Sequence, residues 1–416
     1  MSNQKVQVLP ELDVVYENTR LPFPLAEYQV RLTKIRREMA AREIDLLYLS
    51  SPESMYYVSG LNLTWYRTGA SSAWDGSKAA GIAVHVDYDY FILFETADEY
   101  GLVSGSTCTA DVRIMDERPF ESEDKGSDPY DFITDNLKAE GWLTGKVALE
   151  MRCSRPPRHV SDIMRARFEQ KGCSVTDGTD LLVKIRRKKS PMELNYIRKA
   201  SAIADIGHKA IADQLRAGMT ELEAAGIYTH AMMKAGGESP AIVDMVKSGK
   251  GKLWCGHAPA GRKLIMPGEP VQVDLAGVYN RYHAYMGRCY HIGKPDQDFA
   301  DTCHKANVLV MEEVKRILKP NMPVREFYKK LMKVCEELGL RESTKRMGGY
   351  ELGIAFPPDW CGEFVHGPDM IYKEERFEAG MVIAFKTGMG VADTILFTEH
   401  EAEILTNTTH ELKIIE

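Results

Sequence analysis

Five side chains in this sequence could share acid–base work if the fold brought them together: Asp274, His257, Tyr285, Tyr350 and Lys386. A carboxylate and an imidazole make a proton-transfer pair near neutral pH, and phenols can donate to or accept from a reacting atom. Trp65, Trp74 and Trp360 could wall such a site. Indole faces beside a carboxylate attract a cationic or amidinium-like group, each face contributing roughly 0.5–2 kcal/mol. Arg67 would meet the opposite charge, because a planar guanidinium pairs with both oxygens of a carboxylate. These residue types together suit a small zwitterion. A single-metal site built from Asp274, His283 and His291 is a further arrangement, although it has no recognised ligand spacing. Taken singly, each tryptophan reads equally as core packing, His257 as a hydrogen-bonded core histidine and Arg67 as a surface cation.

The elements that must position these groups belong to a chain of 416 residues, longer than one hydrophobic core usually organises, so two unequal domains are expected. Hydrophobic residues at 44% and charged residues at 27% are those of a globular chain and exclude a disordered or collagen-like one. A formal charge of -7 gives no electrostatic reason to expect nucleic acid as a partner. The first residues lack a basic start followed by an apolar core, and no apolar run reaches membrane-spanning length. Eight cysteines are scattered without a CxxC spacing, which predicts reduced thiols and a cytoplasmic protein.

Helical spacing of Tyr28, Leu32, Ile35 and Met39 predicts a helix over 26–39, followed by a buried strand at 44–50. Further strands are expected at 81–86, 90–94 and 146–150, with helices over 130–140 and 158–170. Residues 1–183 therefore read as a smaller α/β domain, with 121–129 as a solvated loop. After the basic run 184–190, Ser190, Pro191 and Glu193 form a helix start with a capping box, and Thr220 with Glu223 repeats it. Alternating strands follow at 241–249, 269–277 and 288–293, then helices over 299–318 and 324–339, then strands at 381–388 and 393–400. Residues 184–416 thus predict an α+β domain.

The order of these blocks, from the helix pair through GYELG to GMVIAFKTG and DTILFTEHEAEILT, resembles the creatinase/aminopeptidase P family. The resemblance implies a C-terminal pita-bread domain, with a curved antiparallel sheet, behind a smaller α/β N-terminal domain. Peptidases of that family hold two metal ions with two Asp, one His and two Glu, since hard divalent cations favour clustered oxygen ligands. Here Asp274 stands at the first Asp, Tyr285 at the second, Tyr350 at the His and Lys386 at the first Glu, while the second Glu falls at Ala392 or Asp393. An ammonium inside a cation site repels the metal it replaces, so no metal and no other cofactor is expected.

Metal-free members of the family, creatinase among them, hydrolyse non-peptide C–N bonds. By that resemblance His257, in GHAPAGRK, is the proton shuttle, and Arg67 would hold a substrate carboxylate from the partner copy's N-terminal domain, in a homodimer. Creatinase itself fits poorly, because Gly287 and Lys386 stand where it has glutamates. GGESPAIV, AGVYNRYH and GYELGIAFPPDW are similar to blocks of ectoine hydrolases. The likeness implies hydrolysis of a cyclic amidine in a small zwitterionic carboxylate, with catalytic roles for Asp274, His257, Tyr350, Tyr285 and Lys386. Arg67, Trp65, His283 and Trp360 would bind the substrate. Asp274 stands where those enzymes have Glu, which displaces the carboxylate by about 1.5 Å. It therefore acts as nucleophile or as orienting carboxylate. Two other readings stay open: a lyase acting on a sulfonium or quaternary ammonium carboxylate such as dimethylsulfoniopropionate, and a non-catalytic relative that binds a small molecule.

Overall fold

The computed structural model describes residues 21–63, 78–109, 111–115, 128–153, 155–251, 256–340, 342–369 and 374–416. Trp65, Arg67, Trp74, Cys255 and most of the 121–129 loop lie outside the described residues. The chain divides into two compact units, Met1–Ile185 and Arg186–Glu416.

In the first unit α1 (Leu25–Ala41), β1 (Leu46–Leu49), α2 (Pro52–Ser59), β2 (Gly81–His85) and β3 (Phe91–Thr96) are followed by α3 (Tyr100–Ser106) and β4 (Val112–Met115). Then come α4 (Pro129–Ala139), β5 (Lys146–Leu149), α5 (Arg158–Gln170), β6 (Ser174–Asp177) and α6 (Thr179–Arg187), which carries the chain into the second unit. The strands form one mixed sheet in the order β4-β3-β2-β1-β5-β6. β1, β2 and β3 are buried on both faces, which is why they read as apolar runs without alternation. Tyr28, Leu32, Ile35 and Met39 of α1 are buried, as their helical spacing predicts.

The second unit opens with α7 (Pro191–Gln214) and α8 (Glu221–Lys234), each started by the expected capping box from Ser190 and Thr220. β7 (Met245–Ser248), β8 (Pro270–Tyr279) and β9 (Tyr282–Ile292) follow. β9 starts well before the strand expected at 288. The cause is a two-residue hairpin turn at Asn280 and Arg281, whose φ values of 47° and 60° match a primed turn that feeds straight into the return strand. The Arg281 guanidinium holds this turn by donating to the Ala355 and Ser239 carbonyls. Beyond it come α9 (Gln297–Cys303), a wide helical turn at His304–Leu309, α10 (Val310–Ile317) and α11 (Val324–Glu337). Then β10 (Gly349–Tyr350), β11 (Val365–His366), β12 (Val382–Lys386), β13 (Ala392–Phe397), β14 (Ala402–Ile404) and β15 (Lys413–Ile415) complete the unit.

The larger sheet runs β12-β13-β9-β8-β7, with β14 added to β13 and β15 to β9. Period-two alternation sorts its residues cleanly. Val246, Val271, Val273, Leu275, Met286 and Tyr290 pack with α7 and α8 in one core, and Ile383, Phe385, Val391 and Ile395 pack with α10 and α11 in another. The alternate residues therefore share the opposite face. The seven described cysteines are free, and among the described residues no helix is long and apolar enough to cross a membrane.

α7 lies directly on β8 at Gly277, where an added Cβ would stand 2.0 Å from the Ala200 carbonyl oxygen and 2.7 Å from the Ala204 nitrogen. Both are backbone atoms, which cannot swing aside. Gly277→Ala is expected to cost about 1–3 kcal/mol and to lower the thermal midpoint. An unchanged midpoint would mean that helix and strand are not in this contact.

Candidate active site

Strand register lays five positions in one row across the sheet: Met245 opposite Asp274, Asp274 opposite Gly287, Gly287 opposite Ala392, and Ala392 opposite Lys386. Paired residues in a sheet point to the same side, and this row faces away from the helices. Gly287 contributes no side chain: a Cβ there would lie 2.6 Å from Asp274 Oδ1 and 3.3 Å from the Ala392 methyl. Ala392, not Asp393, is thus the residue on the site's face. Asp393 points to the other side, where it pairs with Arg288 at 2.7 Å and His410 at 2.6 Å.

Asp274 is 1% exposed, and four hydrogen bonds from three donors hold it. Lys247 Nζ donates to Oδ2 at 2.6 Å, Tyr285 OH to Oδ1 at 2.9 Å, and Gln272 Nε2 reaches both oxygens at 3.1 and 3.2 Å. Burial alone would raise the carboxyl's pKa. The Lys386 and Lys247 charges, with hydrogen bonds from Lys247 and Tyr285, outweigh it and hold Asp274 below the usual carboxylate value. The Tyr285 phenol moves the other way: burial, then the negative charge of Asp274, then Tyr350, push it well above 10, so it keeps its proton. Tyr350 is likewise raised, first by burial.

An aromatic wall stands over this carboxylate. The Tyr285 and Tyr350 rings stack at 6.2 Å, Trp360 packs against Tyr285 at 5.8 Å, and Trp360 Nε1 donates to Tyr350 OH at 2.9 Å. Lys386 is half-buried at the end of the row, and its backbone pairs with Gly348 on both sides. Asp274, Tyr285, Tyr350, Trp360 and Lys386 are therefore brought together.

Among the described residues the histidines are not joined to this hydrogen-bond network. His283 is fully buried, with Nε2 accepting from the Ala241 N–H at 3.0 Å and Nδ1 against the Arg281 carbonyl at 2.9 Å. Burial and the Arg281 charge lower it to about 3. Both of its nitrogens fasten backbone, so the expected substrate-binding role is corrected to a structural one. His257 is exposed on the loop after β7, with no hydrogen bond to the Asp274 group. His283 and His291 are eight residues apart on β9, roughly 27 Å in an extended strand, so Asp274, His283 and His291 cannot share one metal.

Nor does the donor set at the row fit the divalent metals that the resemblance brings with it. Asp274 already has both oxygens engaged, Gly287 and Ala392 offer no ligand, and Lys386 brings a positive charge. Among the described residues no group of three or more His, Cys, Asp or Glu converges. Lys247 and Gln272 are the members of this site that sequence reasoning missed. A lysine directly before the SG turn reads as solvated, and only the pairing of Lys247 with Gln272 places it on the inner face, 0% exposed. The available signal was the alternation of Met245 and Lys247 around Val246 in a strand expected next to VQVDL.

Models of known families match most of the chain: metallopeptidase family M24 over residues 195–405 and the creatinase/prolidase N-terminal domain over 31–188. The family is the one expected from the resemblance. The chain is 27% identical to an ectoine hydrolase of Halomonas elongata, across 94% of this chain and 98% of that protein. It is 24% identical to a Xaa-Pro dipeptidase of Pyrococcus furiosus, across 92% and 99%. The crystal structure of a prolidase from Pyrococcus horikoshii superposes with a TM-score of 0.74 at 21% identity, covering 92% of this chain and 99% of that one. The likeness shows the expected pita-bread fold.

Removing one partner of a buried ion pair leaves the other uncompensated, so Lys247→Met is expected to cost about 3–5 kcal/mol at neutral pH. Because the folded-state pKa of Asp274 is depressed, the stability it contributes is present above its unfolded value near 3.9 and is lost as the pH falls through the folded one. The gap between wild type and variant should therefore narrow below about pH 4, which denaturant titrations at several pH values will read. A gap independent of pH would contradict the pair.

Proposed function

This chain belongs to metallopeptidase family M24, and from that premise we propose that it is a hydrolase of a non-peptide C–N bond in a small zwitterionic carboxylate of the ectoine type, working through organic side chains. The observation that carries the reading is the saturated, deeply buried Asp274 beside the Tyr285 phenol. The similarity to an ectoine hydrolase over nearly the whole of both chains supports the substrate class.

Asp274 is a poor nucleophile as it stands, because attack would require one oxygen to give up Lys247 or Tyr285 and the charge that they stabilise. It serves better as a fixed carboxylate that faces the substrate's cation and takes a proton only in passing. A cationic amidinium is drawn to the rings of Tyr285, Tyr350 and Trp360 and to the carboxylate behind them. As water adds to the amidine carbon, its proton passes to the Tyr285 oxygen while the Tyr285 proton passes to Asp274 Oδ1. Reversal of this relay delivers the proton to the departing nitrogen. One water is consumed and one C–N bond breaks; as the carbonyl forms, the remaining hydroxyl proton also passes to the departing nitrogen, so an amide and an ammonium result. Tyr285 suits the relay because burial and Asp274 keep it protonated between turnovers. The relay as drawn does not call on His257, for which no hydrogen bond to the Asp274 group is found among the described residues.

Purified protein supplied with cyclic amidine carboxylates in ¹⁸O-labelled water should place one label in the product amide. Tyr285→Phe and Asp274→Asn are each expected to lower kcat by about 10²–10⁴. An unlabelled alkene product would replace hydrolysis by elimination. Loss of turnover on chelation, restored by a divalent metal, would overturn the metal-free chemistry.

A further inference from the structure

We infer that Asn307 is a positioning residue of this site: through Thr387 it clasps the buried connection 387–391 and fixes what that connection presents to Asp274. The inference rests on the hydrolase reading for its kinetic arm alone and adds a residue that lies outside the row.

The connection between β12 and β13 is buried along its whole length, whereas a hairpin loop ordinarily lies in water. Its main-chain groups must therefore find partners inside the protein. The Thr387 N–H donates to the Val391 carbonyl at 2.8 Å, the Cys289 thiol to the Met389 carbonyl at 3.0 Å, and Gln272 Nε2 to the Gly390 carbonyl at 3.3 Å. The last contact reaches the site directly, because the same Gln272 amide holds both oxygens of Asp274. Gly390 permits this approach: its φ is 90°, and a Cβ there would lie 2.6 Å from Gln272 Nε2. A Cβ added at Gly287 would stand 2.6 Å from Asp274 Oδ1 and 2.7 Å from the Gly390 oxygen, so carboxylate and carbonyl crowd the same glycine. Negative oxygens this close push apart, and the connection needs a hold of its own.

Asn307 supplies that hold. Its Oδ1 accepts from Thr387 Oγ1 at 2.7 Å, and both residues are 0% exposed. It is carried by the wide turn His304–Leu309, a π-helical segment between α9 and α10. Such segments are rare and recur at functional sites. Ala306 and Val310 of that stretch, with Met389 and Val391 of the connection, belong to one apolar core. An amide is costly there, and among the described residues its Nδ2 has no hydrogen-bond partner. Leucine has nearly the same shape and would carry no orphaned donor. The wide turn and the unpaired amide both weaken the fold, and the contact with Thr387 is what they yield. Lys386 directly precedes Thr387 and Ala392 directly follows Val391, so the clasp sets both ends of the connection where they enter the row.

Replacing both partners by apolar groups of like shape separates positioning from support, because such a pair of changes is nearly neutral for folding. In the full-length double variant Asn307→Leu with Thr387→Val, the thermal midpoint should stay or rise. Hydrogen exchange across 386–391 should quicken by about tenfold or more. Turnover of cyclic amidine carboxylates should lose about 10–100-fold in kcat, with KM within about threefold. Thr387→Ser keeps the hydroxyl and should stay within about threefold of wild type in exchange and in kcat. Exchange that does not quicken, a lowered midpoint or a failure to fold, or a kcat that survives the double change would each overturn the inference. The two readings fail separately. If the wild type hydrolyses no cyclic amidine the hydrolase falls, and exchange together with the midpoint still decides the clasp.

Discussion

A carboxylate in the middle of a sheet, shut off from water, stays charged only if its surroundings supply what water would have supplied. Asp274 depends on this constraint, and Lys247, Tyr285 and Gln272 meet it. Each donor is supplied by a different part of the fold: the edge strand β7, the return strand β9, and β8 two residues upstream. Register between β7, β8 and β9 is thereby tied to the site, since a slip of one residue would turn Lys247 and Tyr285 to the helix side and leave the carboxylate bare. The hairpin turn at Asn280 and Arg281 sets that register, and the Arg281 contacts to Ala355 and Ser239 hold the turn in its left-handed conformation.

Much of the fold was legible because its signals are local. The apolar stripe of α1, the capping boxes at Ser190 and Thr220, and the apolar runs of β1 to β3 depend on residues within a turn or two. β9 was harder, since Asn280 and Arg281 sit within AGVYNRYH, where no glycine marks the turn. The strand expected from 241 begins only at Met245, because the preceding backbone is spent on His283, an interaction between residues 42 apart in sequence.

Site legibility follows the same division. The positions of Asp274, Tyr285, Tyr350 and Lys386 came from blocks whose order could be compared. What fills the space between them depends on pairing across strands. Whether Ala392 or Asp393 faces Asp274 is a question of parity that neighbouring text leaves open, and the contact between Gly287 and Ala392 answers it. Lys247 was invisible for a related reason. A charged residue near a turn is ordinarily solvated, and only its strand partner Gln272, on the same face as Asp274, reveals an internal role. His283 shows the converse: a histidine beside a catalytic-looking motif proves to be a backbone clasp, because both of its ring nitrogens are already engaged.

The substitutions at the row make physical sense only as a set. In the metal-bearing arrangement that the resemblance implies, four carboxylates face two dications, and the charges cancel. Loss of the metals alone would leave four buried anions repelling one another, which no sheet would tolerate at neutral pH. Changing the second Asp to Tyr285 and placing Ala392 in the row removes two of those charges, and Lys386 replaces a third with its opposite. Asp274 survives as the single anion, and Lys247 neutralises it in direct contact. Lys386 bears on the same carboxylate at longer range, so both lysines act on one anion. Asp274 is thus kept charged by two lysines and a phenol where the metal-bearing arrangement would use dications.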